Sequence, residues 1–150
     1  MTEPLVLIVD DQVGDLAWLI DLIQNRGHRV VFATNEEAAR ERFRAIKDRT
    51  ESYVLAIVDV MIAVKDLSKL VSLDNEFFEN SRNTGIRLCR FARHELGISR
   101  NQLPIVCLTV RDDDEVRDAM KELGIPLFNR VPGGAASIRA YIEQNLTAPV

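Results

Sequence analysis

The sequence predicts an α/β fold, a doubly wound sheet of five parallel strands in the order 2-1-3-4-5. Three observations predict it. Continuous apolar runs recur along the chain, segments with helical periodicity lie between them, and acids stand where the first and third runs end. Continuous runs suit parallel strands covered on both faces, whereas a half-exposed strand alternates apolar and polar residues. Strands that alternate with helices build parallel sheets, because parallel neighbours need crossovers.

The strands are read at Leu5–Val9, Arg29–Ala33, Tyr53–Val58, Ile105–Val110 and Ile125–Val131. The first helix, Val13–Arg26, carries Val13, Leu16, Leu19, Ile20 and Ile23 on one stripe and stops at Gly27. Asn35 caps Glu36–Asp48, with two acids in the first turn. Gly85–Leu96 follows, then Asp113–Leu123 capped by Asp112 and stopped by Gly124, then Ala135–Leu146. Five βα units of this kind commonly take the flavodoxin-like order, in which strands one and three are neighbours and ligands bind in the crevice at their carboxyl ends. Residues 1–150 are expected to form one domain. The stretch Met61–Asn83, an insertion of about 62–84, is too long for a βα loop. Leu67, Leu70 and Val71 have helical spacing within it, so it is a lid over the crevice, a partner-binding helix or a helix packed on its own domain.

Composition narrows the function classes. A net charge of −4 argues against direct nucleic-acid binding. The N-terminal apolar run, Leu5–Val9, is too short for a signal peptide or a membrane span, and the protein is read as cytoplasmic. Cys89 and Cys107 sit in apolar segments and read as buried reduced thiols. His28 and His94 have no ligand-like partners nearby in sequence.

Asp10 and Asp11 end the first strand and Asp59 ends the third, so the predicted order brings all three to the crevice. Hard oxygen ligands at short range suit Mg²⁺, and three carboxylates without a cation repel one another. Thr109, at the end of the fourth strand, has a hydroxyl within range of a phosphoryl oxygen near Asp59.

These residues resemble the receiver domain of two-component signalling (CheY-like). The matching pieces are Val9-Asp10-Asp11, Asp59-Val60-Met61, Leu108-Thr109, and the aromatic-then-proline ending from Phe128 to Pro132. The resemblance implies that Asp59 accepts a phosphoryl group from a phosphohistidine on a histidine kinase or phosphotransfer protein. It implies Mg²⁺ bound by Asp11, Asp59 and the Met61 carbonyl, with Asp10 acting through water. Thr109 would bond the phosphoryl group, and Phe128 would change rotamer as Thr109 moves. The output would be a changed surface read by a downstream protein, and a homodimer is compatible with it.

The chain departs from the family at the lysine that usually precedes the fifth-strand proline. Val131 stands there, with Arg130 one residue earlier. A phosphorylated pocket holds about −4 against +2 from the metal, so a missing cation matters. A unit charge pair at about 4 Å is worth on the order of 4 kcal/mol at an effective dielectric of 20. Alternation along a strand turns Arg130 away if Val131 faces the pocket. Arg130 and, less directly, Lys65 are the candidate substitutes. Val110 replaces a small residue after Thr109, and Ala63 replaces the usual loop proline.

The competing expectation is a pseudo-receiver, an interaction module not switched by phosphate. A Mg²⁺-dependent phosphohydrolase is disfavoured because no second acid follows Asp59 two residues on, and flavin binding because no phosphate-cradling loop follows the first strand. Trp18 and Leu22, opposite the core stripe of the first helix, suggest a partner surface.

Overall fold

The computed structural model describes residues 3–62, 82–130 and 134–146. Its strands are β1 (Leu5–Val9), β2 (Arg29–Ala33), β3 (Leu55–Val58), β4 (Ile105–Thr109) and β5 (Leu127–Asn129). All pair in parallel, in the order β2-β1-β3-β4-β5, as the repeated βα units predict. The helices are α1 (Ala17–Asn25), α2 (Glu36–Lys47), α3 (Thr84–Arg90), α4 (Asp114–Leu123) and α5 (Gly134–Asn145).

Alternation along the strands divides the core in two. Leu7, Val9, Ala56, Val58, Ile105 and Cys107 join Phe43, Leu88 and Met120 on one face. Val6, Ile8, Leu55, Ile57, Val106 and Leu108 join Ile23, Ile138 and Ile142 on the other. Each fully buried Leu or Ile of this kind contributes roughly 1.5–3 kcal/mol. Cys89 and Cys107 are buried free thiols, and burial pushes Cys89 up to about 12. His28 is buried with its ring Nδ1 on the Arg26 carbonyl, and His94 is exposed. Among the described residues no helix is long and apolar enough to cross a membrane.

Several boundaries differ from the sequence reading, each for a local reason. The first helix opens with a 3₁₀ turn, Val13–Leu16, before α1 begins. Asp113, not Asp112, caps α4, accepting from the Val116 N–H, while Asp112 pairs with Arg117. The fifth strand is shorter than expected at its start because Ile125 belongs to the end of α4. Gly124 takes φ +67°, and the Ile125 N–H returns to the Met120 carbonyl. Trp18 and Leu22 are half-buried against the second core cluster. α5 runs beside α1, with Arg26 donating to the Leu146 and Glu143 carbonyls, and this second neighbour widens the buried stripe of α1. Trp18 and Leu22 are therefore packed in part and do not stand free of the core in the way the first helix taken alone suggests. Lys65, Ala63, Val131 and the helix read at Leu67–Val71 lie outside the described residues.

Asn35 caps α2 as expected, accepting the Ala38 N–H at 2.9 Å from extended backbone. Asn35→Ala should lower stability by about 1 kcal/mol, read as a lower urea midpoint at unchanged slope.

Candidate functional site: an arginine-bridged pair of carboxylates

Two ladder bonds continue the sheet past its strand ends. The Asp10 N–H donates to the Ala33 carbonyl and the Asp59 N–H to the Val9 carbonyl, which sets the two acids on adjacent strands. Asp10 follows Ile8 by two residues and Asp59 follows Ile57 by two, so both continue the face that carries α1 and α5. Both are almost fully buried.

The same counting places Arg130. Phe128 belongs to the α1/α5 face, half-buried against Tyr141 with ring centroids 5.5 Å apart. β5 pairs Asn129 with Thr109, and the Arg130 N–H then donates to the Thr109 carbonyl. Arg130 is two residues beyond Phe128 and falls on the face of Asp10 and Asp59. Its Nη1 donates to Asp10 Oδ2 at 2.6 Å and to Asp59 Oδ2 at 3.2 Å. Its Nη2 lies 3.4 Å from the Gln12 carbonyl. The expectation that alternation turns Arg130 away is overturned, because the strand register and not the place of Val131 decides which side it takes.

Each carboxylate spends its other oxygen on backbone. Asp10 Oδ1 accepts the Gln12 N–H at 2.7 Å, and Asp59 Oδ1 the Met61 N–H at 3.4 Å. The Thr109 hydroxyl, fully buried, stands close enough to Asp59 to pull its carboxyl down, and it accepts the Arg111 N–H at 3.3 Å. These donors do not neutralise the pair. Burial first, then repulsion from Asp10, pushes the Asp59 carboxyl up to about 6 against the pull of Thr109 and Arg130. Burial also raises Asp10, opposed by the Gln12 amide and by Arg130.

Sequence reasoning placed Asp10, Asp11, Asp59 and Met61 in a metal set. The structure brings Asp10 and Asp59 together, with Asp11 half-buried beside Asp10 and adding to its repulsion. Among the described residues no three acidic, histidine or cysteine side chains form a metal-holding group. The arrangement is a pair of carboxylates bridged by a guanidinium, not an open triad. Its donor chemistry still suits a hard cation, since two buried carboxylates remain short of positive charge. Met61 and Val110 flank the site with exposed side chains.

Two residues that carry the site were not singled out from sequence as parts of it. Gly85 donates its N–H to the Val60 carbonyl at 2.8 Å, laying the start of α3 on the residues that follow β3. A Cβ at Gly85 would stand 2.6 Å from Val60 Cα and closer still to the Asp59 carbonyl oxygen. The signal available was only a glycine opening a helical pattern. Arg111 is nearly buried and grips Asp113 with Nε and Nη2, while Nη1 donates to the Arg82 carbonyl at 2.9 Å and to Asn83 Oδ1 at 2.6 Å. It therefore ties the loop after Thr109 to the residues that precede α3. Nearby, Arg87 pairs with the nearly buried Glu36, and Thr84 donates to the Ile62 carbonyl at 2.6 Å.

No family model matches the chain, and no curated protein matches it. Solved structures do. The phosphorylated cyanobacterial phytochrome response regulator RcpA superposes with a TM-score of 0.67 at 15% identity, over 99% of this chain and 98% of that one. The fold is that of a receiver domain. The BeF3-activated receiver domain of Klebsiella pneumoniae RstA gives 0.63 at 22% identity, covering 95% and 97%. The chemotaxis response regulator CheY4 of Vibrio cholerae gives 0.63 at 18%, covering 93% and 97%. The receiver fold and its strand order 2-1-3-4-5 agree with the sequence reading.

Proposed function

We propose that this chain is a receiver that accepts a phosphoryl group on Asp59 from a phosphohistidine of a histidine kinase or phosphotransfer protein. The observation that carries the reading is the setting of the Asp59 carboxylate, with Thr109 beside it, Arg130 bridging it to Asp10, and burial around them. A carboxylate held up to about 6 is mostly ionised at neutral pH and is a competent nucleophile. An Asp59 oxygen forms the new bond to phosphorus as the bond from phosphorus to the histidine nitrogen breaks. The nitrogen keeps the electron pair and takes a proton. Such transfer is mainly positioning and charge neutralisation.

Thr109 and Arg130 are the chain's own donors to the transferred group, and Arg130 takes the part of the missing fifth-strand lysine. Asp10, Asp11, Asp59 and the Met61 carbonyl would hold Mg²⁺, which supplies the remaining neutralisation. The protein works in the cytoplasm as a signalling regulator, with a downstream protein as reader of its altered surface. Incubation with Mg²⁺ and acetyl phosphate, followed by intact-mass measurement, tests the reading. One phosphoryl group should be gained by the native chain and none by Asp59→Asn. A native chain that gains no mass ends this reading.

A second reading keeps the fold as a phosphorylation-independent interaction module. The observation favouring it is the same bridge, since Arg130 already occupies both carboxylates.

A further inference from the structure

We propose that Arg130 is a tethered cation that competes with a divalent ion for Asp10 and Asp59, so that the pocket has an arginine-closed and a cation-open state. The inference rests on the metal-binding part of the proposed function and not on phosphoryl acceptance.

Competition, rather than simple coexistence, follows from the geometry. One guanidinium nitrogen engages Oδ2 of both carboxylates, at 2.6 Å and 3.2 Å. An ion drawing on both acids meets the guanidinium charge already seated on them, and each Oδ1 has a lone pair fewer to offer because it accepts a backbone N–H. Arg130 is also built to move without moving the sheet. Its own N–H stays on the Thr109 carbonyl, which anchors the main chain to β4 while the long side chain turns. The Gln12 carbonyl, 3.4 Å from Nη2, is a neutral acceptor at the rim. It offers the guanidinium a place once the carboxylates are taken. Released in this way, the charge stays beside Asp59.

A bound competitor weakens apparent affinity by the fraction of molecules in the open state. The arginine-closed state should dominate without metal, so removal of the guanidinium should tighten Mg²⁺ binding by about tenfold or more. Calorimetric titration with MgCl₂ tests this on the native chain, Arg130→Met and Arg130→Lys. Arg117→Met serves as control, since it removes an equal charge from the exposed start of α4. The expected order is Met tightest, Lys between, and Arg117→Met equal to native. Binding by Arg130→Met that is equal to or weaker than native overturns the proposal, as does equal tightening by Arg117→Met.

Should Arg130→Met fail to fold, the native chain decides the matter by itself. At saturating Mg²⁺ the Arg130 Nε–H resonance should shift, while that of Arg111, paired with Asp113, should stay. An unmoved Arg130 resonance at saturation overturns the proposal. Binding by Arg130→Met alone supports it in its strongest form, and binding by neither chain overturns it together with the metal assignment. A chain that shows the expected competition yet gains no phosphoryl mass retains the tethered cation and loses only the phosphoacceptor reading.

Discussion

Gly85→Ala is expected to unfold the chain or displace the turn after Asp59, and with it to abolish the proposed phosphoryl acceptance, although alanine is the better helix former. The propensity gain at a helical site is about 1 kcal/mol. Against it stands a methyl group aimed at main chain. The new Cβ would meet Val60 Cα at 2.6 Å and press still closer on the Asp59 carbonyl oxygen. A crowded flexible side chain can turn aside, but these atoms cannot. They belong to the two residues that follow β3, and the Gly85 N–H holds the Val60 carbonyl at 2.8 Å. Overpacking typically costs about 1–3 kcal/mol and more when backbone must shift. The net expectation is a loss of about 3 kcal/mol or more, seen as a lower urea midpoint. A Gly85→Ala chain of native stability that still gains phosphoryl mass would show that α3 does not rest on the turn after Asp59 in this way.

Asp59→Asn should have a large effect of the opposite sign. The folded protein raises the Asp59 carboxyl to about 6, so ionised Asp59 opposes folding. From about pH 4 to about pH 6 the folded chain holds a proton that the unfolded chain has released. The contribution of Asp59 to stability therefore falls as pH rises through that window and levels off above it. Each tenfold change in proton affinity is worth about 1.4 kcal/mol, so the cost at neutral pH is on the order of 2–3 kcal/mol. Asparagine keeps the shape and removes the charge. In buffer with a chelator, Asp59→Asn should exceed the native chain by about 2 kcal/mol at pH 7, and the gap should close below about pH 4. Urea unfolding across that range measures it, and a gap independent of pH would mean that the burial and repulsion at Asp59 are relieved some other way. A buried acid kept ionised at the expense of stability is the usual trade at functional sites.

The strands were legible because parallel strands covered on both sides need no polar face. Leu5–Val9 and Ile105–Thr109 declare themselves as unbroken apolar runs. The neighbouring acids followed once β1 and β3 were placed side by side. Arg130 was harder. Its side depends on whether Asn129 or a neighbour pairs with Thr109, and a one-residue change of register reverses the answer. Gly85 could not be recognised because its reason lies in another segment, the carbonyls of Asp59 and Val60. Trp18 and Leu22 look unpartnered on α1 alone and gain their neighbour only when α5 docks. The cap at Asp113 shifted by one residue among three successive aspartates, each chemically able to serve.

The bonds from Gly85 to Val60 and from Thr84 to Ile62 make the turn after Asp59 a splice between two distant parts of the chain. The sheet holds Asp59 from one side, through the Val9 carbonyl, and the opening of α3 holds the carbonyls that follow it from the other. Through the Gly85 bond, a disturbance at the start of α3 is therefore delivered to Asp59 by main chain alone, without passing through any side chain.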